Sequence, residues 1–292
     1  MSAKIGLIGL GDMGAPMARR LIEVGTPLVV WTRNAETRDG FRDTPADVAD
    51  SVRDVFAHCE TIIFMLATAD ALDAVLGRGH ADFAALCKGH TLIQMGTTLP
   101  DYSRQLEADI LAAGGRYAEV PVSGSSIPAA TGQLIAMRAG QADTLAMITE
   151  TIAPLIAAKV DCGPVPAALQ MKLAVNTCLA GAMFGLIEGT NLARQCGLDM
   201  QLFRQVMEGG QMGSPVVRMK LPKLVDEDFT TQASVFQTVE NMTMMLEAAQ
   251  EVGAAMPIVE TARKLQGKTL DLGHAESDMI AAIKTYQSMN KP

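Results

Sequence analysis

Ile5-Gly6-Leu7-Ile8-Gly9-Leu10-Gly11-Asp12-Met13-Gly14 is the stretch from which the fold can be read. Its first four residues form a short apolar run of the kind that makes a buried parallel strand, and a G-x-G-x-x-G follows without a gap. In that context the glycines have separate tasks. Gly9 permits the tight turn, Gly11 lets the backbone approach a pyrophosphate, and Gly14 allows the next helix to pack closely on the strand, with Leu10, Asp12 and Met13 filling the turn between them. The helix continues through Arg20-Leu21-Ile22, Gly25 stops it, and Pro27-Leu28-Val29-Val30-Trp31 supplies a second strand. The expected element is therefore a strand–turn–helix–strand unit that binds a dinucleotide through residues 9–14.

At the end of the second strand an NAD-binding chain usually places an acidic residue on the ribose 2′-hydroxyl, whereas here Thr32-Arg33-Asn34 occurs. A guanidinium presents a planar fork of donors suited to a 2′-phosphate, and Thr32 and Asn34 can add neutral hydrogen bonds. NADP(H) is the expected cofactor, with NAD(H) also usable; the alternative is that Arg33 is simply a solvated surface residue. Further strands are expected at residues 61–66, 91–95 and 117–120, separated by helices, then a helix at 141–157 and a last short strand at 159–162. Alternating strands and helices predict a doubly wound, mainly parallel sheet whose ligand crevice lies beyond the strand C-termini.

The chain has 292 residues, 49% hydrophobic and 19% charged, which suits two domains of roughly 150 residues rather than one core. The boundary is expected at 163/164. A formal charge of −8 with scattered basic residues argues against a nucleic-acid partner. Five cysteines, an odd number without close pairs, read as free thiols, and four isolated histidines lack metal-ligand spacing, so no metal is expected. The N-terminus runs into a strand without a basic region and apolar signal core, which makes the cytoplasm the default compartment.

From Pro164 to Gly197 the sequence reads as one long helix. Prolines suit its start and a glycine its stop, and Lys172 and Glu188 are the only charged residues between Ala167 and Ala193. Apolar residues on every face predict a helix packed all round. A membrane span is disfavoured because Gln170, Lys172 and Asn176 interrupt the run and no basic flank or aromatic belt accompanies it. Lys172 and Asn176, four residues apart, project from one face. A buried lysine is rare unless paired or chemically active, although a lysine that snorkels to the helix rim is the plainer account. Beyond Gly197 the pattern is helical: Asp199 can cap one helix, Pro257 can start another, Ser277 and Asp278 can open a third, and Val235, Val239, Met242, Leu246 and Ala249 trace a helical stripe.

Three separated motifs, in order, resemble the β-hydroxyacid dehydrogenase family: residues 9–25 with Met13-Gly14-Ala15-Pro16-Met17-Ala18 inside them, Glu119-Val120-Pro121-Val122-Ser123-Gly124-Ser125-Ser126 followed by Pro128 and Gly132-Gln133-Leu134, and Gln170-Met171-Lys172-Leu173-Ala174-Val175-Asn176 with its Lys-x-x-x-Asn. The Ser-Gly-Ser form looks like the glyoxylate and succinic-semialdehyde reductase branch, although Ser126 and Ile127 stand where that branch often has two lysines. The resemblance implies an N-terminal Rossmann domain, a long interdomain helix and an all-α C-terminal domain, with the active site in a cleft and association of copies through the helical domains.

By the same resemblance, Lys172 moves the proton that accompanies hydride transfer and Asn176 orients it or bonds the substrate. Ser123, Gly124 and the adjacent Ser125 hold the carboxylate of a short acid. The loops at Leu66-Ala67-Thr68, with Met65 before it, and at Gly96-Thr97-Thr98 touch the cofactor, Thr97 matching the threonine of a Ser-Thr pair in which Gly96 replaces the serine. Without the family, Thr97 reads equally as a cap for a helix near Pro100, and residues 123–126 as an ordinary Ser/Gly loop. Where the family usually has Lys-Asp beside the cofactor, this chain has Glu240-Asn241. A carboxylate there is expected to raise the Lys172 pKa and favour reduction, unless Glu240 faces solvent. An imine reductase, which usually lacks the lysine, and a non-catalytic dinucleotide-binding protein are the rival readings.

Overall fold

The apolar runs of the first half become a single sheet in the computed structural model, which describes residues 4–290. Its strands are β1 (Ile5–Ile8), β2 (Leu28–Trp31), β3 (Asp47–Val48), β4 (Thr61–Phe64), β5 (Thr91–Gln94), β6 (Arg116–Glu119), β7 (Val122–Ser123), β8 (Leu134–Gly140) and β9 (Ile156–Gly163). The order is β3-β2-β1-β4-β5-β6-β8-β7, with β9 also paired to β8. All pairs among β1–β6 are parallel; β8 runs antiparallel to β6 and β7 and parallel to β9. Strand order reverses between β1 and β4, the position at which open α/β sheets leave a crevice beyond the strand C-termini.

Alternate side chains enter two cores, one on each face. Leu7, Val30 and Ile63 pack with Met17 and Leu21 of helix Gly14–Glu23, while Ile8, Val29 and Ile62 pack with Val55, Leu106 and Ile110. That period of two on a sheet buried on both faces is what distinguishes a doubly wound sheet from a half-solvated one.

Three expectations need correction. The helix expected over 141–157 is two short helices, Ala142–Met147 and Thr149–Ile152, and a 3-10 turn at Ala153–Leu155, after which the chain is already in β9. Pro154 lies at the break, where a missing N–H and a clashing ring end helical continuation. Strand β8 was not anticipated, because Arg138 interrupts its apolar pattern. That arginine is buried but fully committed: its Nε and Nη2 donate to the Asp161 carboxylate of β9 at 2.6 and 2.9 Å, and its Nη1 donates to the Leu145 carbonyl and Thr149 Oγ1. Thirdly, the long helix, Ala167–Gln195, is not covered all round: Met171, Val175 and Leu192 are exposed. An apolar composition states what a helix can bury, not how much of it one chain covers. The helix has the length and composition to cross a membrane, yet Ala168, Leu169, Met183 and Ile187 are buried against protein.

The chain divides into two units, the first ending at Lys172 and the second beginning at Leu173. In the second, the described residues form helices Met200–Gly209, Pro215–Val225, Val235–Glu251 and Pro257–Asp271, then a 3-10 turn Met279–Ala282 that runs into Ile283–Met289. Asp199 caps the first of these helices, accepting from Gln201 N and Leu202 N, and Pro257 opens the fourth. The expected stripe lies inward, with Val235, Val239, Met242 and Ala249 buried and Leu246 half-buried. Within the same unit Lys220 Nζ donates to both Asp278 carboxylate oxygens, at 2.9 and 2.7 Å, and Asp278 also accepts from Gln232 N and Ile280 N. Both side chains are buried.

Candidate active site

The turn after β1 shows why its glycines are glycines. Gly9 has φ +103° and donates its N–H to the Trp31 carbonyl at the end of β2, and a Cβ added to it would stand 2.3 Å from the Met65 carbonyl oxygen. A Cβ on Gly14 would lie 1.8 Å from the Gly9 carbonyl oxygen. These two positions are closed by the fold. Gly11 differs, since nothing lies within 4 Å of where its Cβ would be. The backbone there is open to a ligand, as a pyrophosphate cradle requires, and helix Gly14–Glu23 begins directly behind it with no side-chain cap. Leu10 is buried, Met13 half-buried and Asp12 exposed. The residues present fit a dinucleotide.

The β4 and β5 loops lie beside this turn. Met65 donates its N–H to Ile8, and Met65 and Leu66 are half-buried. Gly96 stands where a Cβ would meet the Leu66 carbonyl oxygen at 2.4 Å, so in this chain the loop as folded leaves room only for glycine. Thr97 is half-buried and does not cap the following helix, Pro100–Ala112, whose N-cap is Leu99 without a side-chain bond. The capping account of Thr97 therefore fails. Thr98, in the same loop, is buried with its Oγ1 unpartnered among the described residues.

After β2, Arg33 is exposed, and Thr32 is half-buried. Asn34 caps helix Ala35–Asp39, its side-chain oxygen accepting from Thr37 N at 3.0 Å, so its amide N–H groups are what it can offer a ligand. The same helix carries a residue that sequence reasoning passed over. Arg38 is half-buried, donates from Nη1 to the Thr32 carbonyl at 3.3 Å, and has a buried Nε without a partner among the described residues. A second arginine five positions beyond Arg33, on a helix opened by Asn34, was the available signal.

The Ser/Gly segment leaves the sheet at β7, where Ser123 pairs with Ile135 of β8. Gly124 has φ +137°, and a Cβ on it would come within 2.7 Å of Leu134 Cδ2 and 3.1 Å of Pro128 Cβ, so both conformation and space demand glycine. Ser125 occupies the N-cap position of helix Ser126–Thr131 yet makes no capping bond, and its Oγ is buried and unpartnered among the described residues. A buried hydroxyl in that state favours a ligand acceptor or donor, because leaving it unmade costs about 1–3 kcal/mol.

Glu119, at the end of β6, is completely buried; its Oε1 accepts from Ala168 N and Leu169 N at 2.8 and 3.1 Å, and its Oε2 from Ser103 Oγ at 2.6 Å. Burial raises its pKa, against those hydrogen bonds. One turn further along the same helix is Lys172. Part of its side chain is accessible, but its surroundings desolvate the ammonium and push the pKa down to about 8. The direction is opposite to the upward shift expected of a neighbouring carboxylate: burial disfavours the ammonium and lowers the pKa.

The match to known families agrees with this geometry. The NAD binding domain of 6-phosphogluconate dehydrogenase matches residues 4–163, and the NAD-binding domain of NADP-dependent 3-hydroxyisobutyrate dehydrogenase matches residues 167–286. The chain belongs to the β-hydroxyacid dehydrogenase family.

As a β-hydroxyacid dehydrogenase it is an NAD(P)-dependent oxidoreductase acting on CH–OH groups. Among its relatives, chloroplastic glyoxylate/succinic semialdehyde reductase 2 of Arabidopsis thaliana is 29% identical over 98% of this chain and 80% of its own. Human mitochondrial 3-hydroxyisobutyrate dehydrogenase is 32% identical over 76% of this chain and 67% of its own. The fold matches that of Mycobacterium tuberculosis 3-hydroxyisobutyrate dehydrogenase, solved with L-serine, at a TM-score of 0.85 and 24% identity, over 98% of this chain and 99% of that one. Two residues singled out by the β-hydroxyacid dehydrogenase resemblance lie in the second unit. Asn176 is half-buried on the long helix, one turn beyond Lys172, and Glu240 is on the exposed side of helix Val235–Glu251. Beside it, Asn241 turns its amide back to the Gln237 carbonyl at 2.9 Å.

Proposed function

We propose that this dehydrogenase works as an NADPH-dependent reductase of a short carboxylic acid bearing an aldehyde or ketone, with glyoxylate and succinic semialdehyde as the first substrates to try. The observation that carries this reading is the desolvated Lys172. A lysine with a pKa near 8 is mostly ammonium at neutral pH yet close enough to that pH to give up its proton. In reduction the ammonium polarises the carbonyl and protonates the developing alkoxide; in oxidation the neutral amine takes the hydroxyl proton. The bound cofactor supplies the hydride chemistry. Ser123, Gly124 and Ser125 hold the substrate carboxylate through hydroxyl and backbone donors, Asn176 orients the reacting oxygen, and residues 9–14, Met65, Leu66 and Thr97 bind the dinucleotide. Glu240 matches the remaining cofactor position of the family by resemblance and, being exposed, is assigned a weak contribution. Cyclic imines assayed beside the aldehyde acids test the imine-reductase alternative; turnover of imines alone would sink the present reading.

The preference for NADPH rests on Arg33, with Thr32, Asn34 and Arg38 beside it. One charge-assisted contact of roughly 1.5–3 kcal/mol gives about ten- to a hundredfold discrimination. Titration of both cofactors is expected to show NADPH bound that much more tightly, Arg33→Ala to abolish most of the difference, and Arg38→Ala to remove part of it. Equal affinities in the unaltered protein refute the assignment.

We also propose a homo-oligomer. Leu202 and Val206 are exposed one turn apart on helix Met200–Gly209, and Leu198 just before that helix is exposed too, with relative exposures of 59%, 73% and 55%. Light scattering after size exclusion should give a mass above that of one chain, and Leu202→Glu with Val206→Glu should return it to the monomer.

A further inference from the structure

Where the helices of this chain take their N-terminal caps separates one of them from several others. Ser51, Thr68, Asp199, Ser214 and Ser234 each cap the helix that follows them directly. The helix that carries Lys172 instead begins behind Pro164 and Pro166, and the buried N–H groups of Ala168 and Leu169 are satisfied by Glu119, 49 and 50 residues earlier in the chain. The cap is borrowed from the strand that leads, four residues on, into Ser123 and Gly124. The other carboxylate oxygen is held by Ser103 Oγ, which is 2.8 Å from Tyr117 Oη, and Ser103 belongs to helix Pro100–Ala112 behind the Thr97 loop. One buried carboxylate therefore joins three elements that each continue to a different part of the site. A local serine would have satisfied the same N–H groups without that linkage.

We infer that Glu119 is a positioning residue: by clamping the first turn of the long helix to the end of β6, it fixes where Lys172 stands with respect to the Ser123–Gly124 loop. This rests on the reading of Lys172 as the proton carrier. Leu169 precedes Lys172 by three residues, about 4.5 Å along the axis, so the clamp acts within one turn of the ammonium. The titratable groups facing Glu119 are Tyr117, Glu107 and Cys162, and desolvation is the sole resolved influence on Lys172. Loosening the clamp admits water to the helix start and returns the Lys172 pKa towards its ordinary value.

The test uses the full chain, with lysines reductively ¹³C-methylated so that the Lys172 pKa is read by NMR; its signal is identified by its loss in Lys172→Ala. Glu119→Leu should raise the Lys172 pKa by about one pH unit and lower kcat about 10- to 100-fold with NADPH and glyoxylate or whichever aldehyde acid turns over, while the NADPH Kd changes less than about threefold. Glu119→Gln keeps an acceptor for both backbone N–H groups and offers Ser103 a donor, so it should restore pKa and kcat to within about threefold of the unaltered protein. If the leucine variant does not fold, Ser103→Ala decides, with a smaller pKa rise of the same sign expected. A folded Glu119→Leu, or failing that Ser103→Ala, in which the Lys172 pKa stays put overturns the inference. Full turnover by Lys172→Ala overturns the reading beneath it instead, whatever Glu119 does.

Discussion

Lys172→Ala is expected to lose turnover by about 10²–10⁴-fold while still binding NADPH, the usual range for deleting a general acid–base group whose neighbours continue to hold the reactants. Lys172→Arg should not rescue it, since a guanidinium keeps the charge but does not release a proton near neutrality. The sign of the pH dependence follows from the direction of the shift. Burial lowers the pKa to about 8, so the acid form prevails below that pH and is lost above it. Reduction should hold its rate up to about pH 8 and then decline, whereas oxidation should rise through the same pH. Control of this lysine by Glu240 would put both limbs at more alkaline pH, and Glu240→Gln would then move them. With desolvation dominant, Glu240→Gln should leave them in place. Steady-state rates in both directions from pH 6 to 10 check all three variants. An alanine variant with retained activity leaves Lys172 a structural residue.

Gly11→Ala and Gly14→Ala should fail in opposite ways, although both change one hydrogen to a methyl in the same motif. At Gly14 the methyl meets the Gly9 carbonyl oxygen at 1.8 Å, and both partners are backbone, so the turn or the helix must shift. A loss of about 2–4 kcal/mol of stability is expected, at the upper end for single substitutions. At Gly11 the methyl meets no protein atom within 4 Å, so the melting temperature should stay within about 2 °C while dinucleotide affinity falls on the order of 10²-fold, because the methyl occupies the space a pyrophosphate would use. Thermal melts beside cofactor titrations separate the two. Unchanged affinity in Gly11→Ala would remove that glycine from the binding site.

These contrasts also mark what the sequence could convey. Residues 5–14 announced strand, turn and helix because every element of that signal is local: an apolar run, then glycines at fixed offsets. Asp199, Pro257 and the Val235–Ala249 stripe were legible for the same reason. β8 was not, because its Arg138 is tolerable only through Asp161 of another strand, and a partner 23 residues away leaves no local trace. Glu119 was quoted within a motif but given no task, since the N–H groups it serves belong to a helix that begins far along the chain. Gly96 departs from the family's serine, and in space the Leu66 carbonyl lies where its side chain would be, which no local pattern could convey. Lys172 was recognisable as unusual, but whether charge or burial would control it depended on what surrounds it in space.

The Lys220–Asp278 pair bears on how this chain can change over generations. Removing either partner strands a buried charge, at a cost of about 3–5 kcal/mol, against a total stability of about 5–15 kcal/mol for an ordinary domain. Replacing both by apolar residues of similar volume can be neutral or better. Drift by single steps must therefore cross a poorly folded intermediate, whereas the double change is open, so the two positions are tied in inheritance although 58 residues part them. Among descendants of this sequence, Lys220 and Asp278 should be kept or lost together.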